Sequence, residues 1–204
     1  MIAVIDYGMG NLRSVENALK KLNADYVITA DKEQILAADK IILPGVGAFG
    51  DCMKNLRENG LIEVLNTVVL DQKKLFLGIC LGMQVLFESS EEGALTKGLG
   101  YLKGRVVKMR DTSVKIPHIG WNRLELCGSD VITSLIGDEA YVYYVHSYYA
   151  SEIDEKDLLA YSNYGTMCLC GLIRHENIIG AQFHPEKSGE TGLKILKYFV
   201  EEKI

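Results

Sequence analysis

A cysteine framed by glycines, Gly78-Ile79-Cys80-Leu81-Gly82, directly follows the apolar run Leu75-Phe76-Leu77. That order predicts a strand ending in a sharp corner that leads into a helix, because a side chain presented at the tip of so cramped a turn needs small neighbours on both sides. Strand, corner and helix in succession belong to layered α/β sheets, whose sites lie beyond the carboxyl ends of the strands. The helix expected after the corner covers about 83–89, and the field of its N-terminal amides favours thiolate over thiol at Cys80. An isolated cysteine is more often a small buried hydrophobe. The glycine frame turns the reading of Cys80 toward a nucleophile.

The first half of the chain keeps the same rhythm. Strands are expected at 1–5, 26–29 and 41–43, with a helix over 11–22 whose Leu12, Val15, Leu19 and Leu22 share one face. Further helices are expected within 51–59 and 61–70, ahead of the strand 75–77. From about residue 101 the pattern shifts to strands and turns, at 102–109, 141–149, 158–162, 167–174 and 178–183. A last helix over 191–202 carries Leu193, Leu196 and Val200 on one side. The fold class expected is therefore α/β, with a mainly parallel central sheet, helices on both faces and a more antiparallel C-terminal half. With no repeat and no low-complexity linker, residues 1–204 are expected to form a single domain.

A second constellation is His184-Pro185-Glu186, after the apolar run ending at Phe183. Proline biases the preceding histidine toward an extended conformation, in which residues two apart project to the same side, so Glu186 can reach back to the imidazole. A carboxylate on one ring nitrogen fixes the tautomer and leaves the other to take and return a thiol proton. Cys80, His184 and Glu186 thus form a candidate nucleophilic triad. A third element is Pro44-Gly45-Val46-Gly47-Ala48-Phe49-Gly50, at a strand end. Backbone amides near Val46 and Gly47, with that of Leu81, are candidate donors to an oxyanion. The run lacks the Gly-Lys-Ser/Thr ending of a phosphate loop. Gln84, one helical turn past Cys80, can face the same site. His146 is a rival base, but it lacks a carboxylate at the spacing of His184 and Glu186. His118 and His175 show no partners in the sequence and are expected to be ordinary packed or surface histidines.

These residues resemble the class I, triad-type glutamine amidotransferases, with their Gly-x-Cys-x-Gly elbow, distant His-Pro-Glu and glycine-rich oxyanion strand. The opening run from Ile5 to Ser14, the run from Pro44 to Gly50 and Pro117-His118-Ile119-Gly120-Trp121-Asn122 narrow the resemblance to the glutaminase subunits of imidazole glycerol phosphate synthases. The resemblance implies hydrolysis of glutamine to glutamate and ammonia, with no cofactor and no metal. It implies substrate binding by Gly47, Leu81 and Gln84 and by the main chain at Ser147 and Tyr148. It also implies a heterodimer with a cyclase subunit built as a (β/α)8 barrel, which uses the ammonia in histidine biosynthesis. Trp121, Asn122 and Lys187 are the candidate interface residues. Two enzymatic alternatives share the triad: a paralogous glutaminase feeding a sugar-modifying amidotransferase, and a γ-glutamyl hydrolase working alone. A catalytically silent interaction subunit is disfavoured by the complete Cys80, His184 and Glu186 set.

Composition narrows the partners. Nothing in the 204 residues resembles a synthase, so an ammonia acceptor has to be another protein. A net charge of −5 without a basic stripe argues against nucleic acid. No apolar run approaches the roughly 20 residues of a membrane helix. The five cysteines are an odd set, and no leader-like segment stands before the first expected strand, so free thiols and a cytoplasmic location are expected. Cys168 and Cys170 lack the second pair a zinc site needs, and they read as thiols on one face of a strand.

Overall fold

The computed structural model describes residues 1–202. In chain order the strands are β1 (Ile2–Ile5), β2 (Tyr26–Thr29), β3 (Lys40–Gly45), β4 (Leu75–Cys80), β5 (Phe87–Ser90), β6 (Thr96–Lys97), β7 (Leu102–Lys108), β8 (His118–Arg123), β9 (Glu125–Leu126), β10 (Tyr141–His146), β11 (Tyr148–Ser151), β12 (Leu158–Tyr164), β13 (Met167–His175) and β14 (Ile178–Ala181). The α-helices are α1 (Leu12–Lys21), α2 (Lys32–Ala37), α3 (Phe49–Glu58), α4 (Leu61–Asn66), α5 (Leu81–Gln84), α6 (Val131–Ile136) and α7 (Gly189–Glu201).

An eight-stranded sheet in the order β2-β1-β3-β4-β14-β13-β12-β9 forms the centre. From β2 to β14 neighbouring strands are parallel, and from β14 to β9 they are antiparallel. This is the expected mainly parallel sheet with an antiparallel C-terminal half. Alternation along the strands builds two cores. Ile2, Val4, Ile42, Leu75, Leu77 and Ile79 face the layer carrying Val15 and Leu19 of α1, Ile132 of α6 and Leu196 and Phe199 of α7. Ala3, Ile5, Ile41, Leu43 and Phe76 face Ile35 of α2, Phe49 and Leu56 of α3 and Leu61 and Leu65 of α4. Successive side chains of a strand point to opposite faces, so these apolar runs require cover on both sides. Each large side chain so buried is worth about 1.5–3 kcal/mol.

Three features differ from the sequence expectation. Instead of a helix over 83–89, α5 makes one turn and the chain then enters β5. Val85, Leu86 and Phe87 are all fully buried, which no single helical face allows. Their carbonyls accept from the N–H groups of Leu99, Leu102 and Gly100, so the partners come from across the chain rather than along a helix. The strand expected over 141–149 is broken at Ser147. Its first part, β10, pairs with β8 in a separate two-stranded sheet, and its second, β11, joins β7, β5 and β6 in a four-stranded sheet. The strand β8 itself was not expected, because the Pro117 to Asn122 run shows no plain alternation of apolar and polar residues.

Candidate active site

Cys80 ends β4 with φ 54° and ψ −108°, a conformation that non-glycine residues rarely adopt. The corner closes against β3 at van der Waals distance. A Cβ on Gly82 would stand 1.8 Å from the carbonyl oxygen of Leu43, and one on Gly78 would stand 2.7 Å from that of Gly82. Glycine is required at both positions by close approach of backbone to backbone. The Cys80 sulfur is buried, with long hydrogen bonds to the carbonyl of Val145 at 3.9 Å and from Nε2 of Gln182 at 3.8 Å.

His184 follows β14, and its N–H donates to the Tyr143 carbonyl at 3.0 Å. Ser188 clamps the same segment, its hydroxyl donating to the His184 carbonyl at 2.7 Å and accepting from the Tyr143 N–H at 2.9 Å. A 3₁₀ turn, Pro185–Lys187, brings Glu186 back so that its Oε1 lies 2.8 Å from Nδ1 of His184. Both side chains are almost completely buried, 4% and 1% exposed. Burial by itself lowers the basicity of His184. Interaction with Cys80 and the hydrogen bond to Glu186 outweigh burial and raise its pKa to about 10. The imidazole is thus bonded to the carboxylate on one side and lines the same cavity as the sulfur on the other.

Cys80 and His184 open on a cavity of about 330 Å³ that also contains Val46, Gly47, Leu81, Gln84, Ser147, Tyr148 and Lys187, with Glu186 behind the imidazole and outside the lining. All three candidate oxyanion residues and all five candidate substrate-binding residues thus line one space, of a size suited to an amino acid. Gly47 takes φ 110°, reserved in practice for glycine, and Tyr7 donates its hydroxyl to the Pro44 carbonyl at 2.9 Å to anchor the loop. A larger hollow of about 740 Å³ lies where Met1, Lys40 and Lys74 meet Val200 and Glu202. It sits at the amino ends of the strands and brings no nucleophile together with a base, so the smaller cavity is the candidate site.

Trp121 and Lys187 are exposed, and Asn122 is partly so. Ile119, Trp121, Tyr141 and Val145 form an apolar band on the outer face of β8 and β10, with Ile119 and Trp121 58% and 57% exposed. Val46, at the rim of the cavity, is exposed too.

Several residues in or near the cavity carry no signal in the sequence. Glu92 lines it, and its carboxylate accepts from the Phe49 N–H at 2.7 Å. Gln182, fully buried, accepts from Gln84 at 3.0 Å while its own amide reaches the Cys80 sulfur. Gln182 stands two residues before His184, a spacing that could have drawn attention to it. His146 also borders the cavity, but its two ring nitrogens are engaged by the Tyr148 carbonyl at 2.9 Å and by His118 at 3.2 Å, which leaves it no free nitrogen for a base. His118 and His175 do have partners. His175 lies 3.0 Å from Asp157 across β13 and the 3₁₀ turn Glu155–Asp157.

All five cysteines are free thiols. Among the described residues no group of three or more His, Cys, Asp or Glu side chains is placed to hold a metal ion, and no helix is long and apolar enough to cross a membrane.

Residues 3–203 match the family model for class-I glutamine amidotransferases. An imidazole glycerol phosphate synthase subunit HisH of Bacillus cereus strain G9842 is 53% identical over 199 residues, 98% of this chain and 93% of the relative. The protein of the same name from Bacillus thuringiensis strain Al Hakam is 50% identical over the same shares. Among solved structures, a glutamine amidotransferase superposes with a TM-score of 0.76 at 20% identity, covering 98% of both chains. PurLQS from Thermotoga maritima superposes with a TM-score of 0.71 at 22% identity, covering 97% of this chain and 96% of that one.

Proposed function

This chain belongs to the class-I glutamine amidotransferase family, and we propose that it is the glutaminase subunit of an imidazole glycerol phosphate synthase. Supporting this is one observation above the rest: Cys80, Gln84 and a His184 backed by Glu186 converge on one amino-acid-sized cavity, in a chain about half identical to subunits of that name over nearly their full length.

In this reading Cys80 Sγ attacks the side-chain amide carbon of glutamine as a thiolate. The tetrahedral oxyanion is held by main-chain amides at Val46, Gly47 and Leu81. His184 gives its proton to the departing nitrogen, ammonia leaves, and a γ-glutamyl thioester remains on Cys80. Water then adds to the thioester with His184 accepting its proton, and glutamate is released with the thiolate restored. Glu186 holds the His184 ring throughout and stabilises it whenever it is charged. At the amino-acid end, Glu92 offers a carboxylate for the α-ammonium, beside Gln84 and the main chain of Ser147 and Tyr148.

The ammonia passes through a channel to a cyclase subunit, a (β/α)8 barrel, in a cytoplasmic heterodimer whose overall lyase reaction serves histidine biosynthesis. The apolar band with Trp121, with Lys187 at the cavity rim that Val145 shares, is the docking face, and Asn122 belongs to the same strand with its amide turned to His118 and Asn163. Aromatic side chains ringed by polar ones are favoured anchors of such contacts.

Cys80→Ala tests the reading. Glutamine-dependent synthesis by the complex is expected to fall to background, while synthesis from added ammonium salt persists. Equal loss of both activities contradicts separate glutaminase and synthase sites.

A further inference from the structure

Two buried histidines outside the triad, His118 and His146, form a hydrogen-bond chain whose direction can be assigned atom by atom. Tyr148 O is a carbonyl and can only accept, so Nδ1 of His146, 2.9 Å away, carries a hydrogen. In a neutral ring Nε2 is then an acceptor, and Nδ1 of His118, at 3.2 Å, must donate to it. That leaves Nε2 of His118 as an acceptor for the Asn122 amide at 3.4 Å. The Asn122 orientation is fixed twice over, by donation to the Asn163 carbonyl at 3.0 Å and acceptance from the Arg123 N–H at 2.8 Å.

The far end of the chain is equally determined. The Gln84 amide also donates to Tyr148 O, at 2.9 Å, and to Oε1 of Gln182 at 3.0 Å, which turns the Gln182 amide toward the Cys80 sulfur at 3.8 Å. Every donor in this run from Asn122 to Cys80 meets an acceptor, and the two halves converge on the Tyr148 carbonyl, which accepts from His146 on one side and from Gln84 on the other. The rings are also sterically fixed. His118 lies between Tyr144 and Tyr164, with centroids 4.6 and 3.9 Å away and planes 26° apart in each case. Both histidines are buried, and burial pushes their pKa values down, to about 4 for His118 and about 3 for His146. They are neutral at physiological pH, as the donor assignment demands.

We propose that His118 and His146 are positioning residues for glutamine: as a pair of Nδ1-protonated neutral tautomers they hold the Tyr148 carbonyl, and through it Gln84, in the geometry that receives the substrate. The proposal rests on the glutaminase reading of the cavity, and it assigns these two residues an effect on substrate binding rather than on bond cleavage. Neither ring is hydrogen-bonded to the sulfur, whose partners are the Val145 carbonyl and Gln182. The chain also links the strand proposed to dock the partner, through Asn122, to the substrate cavity.

Two measurements test it, one of them independent of any activity. The chain holds only four histidines, so selective ¹⁵N labelling of imidazoles resolves each ring by NMR. At neutral pH, His118 and His146 are expected as neutral rings protonated on Nδ1 with Nε2 accepting. An Nε2–H tautomer or a doubly protonated ring at either position overturns the proposal, whether or not the protein hydrolyses glutamine. The second measurement uses the complex with its cyclase. His146→Leu is expected to raise KM for glutamine about tenfold, the cost of one lost buried hydrogen bond, with kcat changed less than about threefold. Asn presents its amide nitrogen where histidine has Nδ1, so His146→Asn is expected to recover KM to within about threefold of the parent. A fall in kcat at constant KM, or an Asn variant no better than Leu, overturns the assignment. Absence of glutamine hydrolysis by the parent complex itself would instead contradict the glutaminase reading, with the NMR result still deciding the tautomers.

Discussion

With its pKa raised to about 10, His184 holds a proton at neutral pH, which in the proposed mechanism is the one handed to the departing nitrogen. Its basicity is raised to about 10 because the sulfur and Glu186 together outweigh a burial that works the other way. A group whose folded pKa exceeds its unfolded value near 6.5 adds stability that is fully present below that value and is lost as pH rises through about 10. The difference in unfolding free energy between the parent and His184→Asn is therefore expected to be largest below about pH 6.5 and to shrink as pH climbs from there through about 10. A difference constant across that window contradicts the pairing. Glu186→Ala, which removes the orienting carboxylate, is expected to lower kcat by about 10²–10⁴-fold with little change in KM for glutamine, as read from steady-state kinetics of the complex. The three residues proposed as the triad could be singled out in the sequence because glycines beside Cys80 and a proline between His184 and Glu186 restrict the backbone locally. Glu92, Gln182 and the His118–His146 pair were not. Their roles depend on strands far apart in sequence meeting at one cavity, and nothing in their immediate neighbours signals that meeting.

Secondary structure shows the same division between local and distant causes. The corner at Cys80 is written into the chain by Gly78 and Gly82, each pressed against another backbone segment. Gly82→Ala is expected to destabilise the fold by about 3 kcal/mol or more, since relief of a Cβ against the Leu43 carbonyl requires α5 and β3 to move apart. Thermal unfolding measures this, and a melting temperature unchanged from the parent contradicts the close packing. The parallel strands β1 to β4 were readable from apolar runs covered on both faces. The helix expected over 83–89 was not formed, because β7 offers Phe87 a strand partner and the carbonyls of residues 85–87 find donors between Leu99 and Leu102. Tertiary pairing there overrides a helical pattern. The break at Ser147 has the same origin: β10 and β11 belong to different sheets, and the turn between them places Ser147 and Tyr148 at the cavity.

On the scale of the whole molecule, the cavity and the apolar band of β8 and β10 share one end of the fold. Val145 belongs to both, lining the cavity from one side and lying in the band on the other. A product released at Cys80 therefore emerges beside the face proposed for the partner. The sequence suggested this through Trp121 and its neighbours only by resemblance. It could not show that β8 and β10 form a sheet of their own whose outer face is left uncovered. The account as a whole stands on Cys80 being the one activated thiol in a glutamine cavity, and its reaction with a glutamine-mimicking electrophile tests that most directly. Cys127 and Cys168 are exposed while Cys80 is buried, so accessibility alone favours the other two. Intact-mass and peptide mapping of the labelled complex are expected to show a single adduct on Cys80, formed more slowly when glutamine competes. Label on Cys127 or Cys168 with Cys80 unmodified, or labelling of Cys80 that glutamine does not slow, contradicts it.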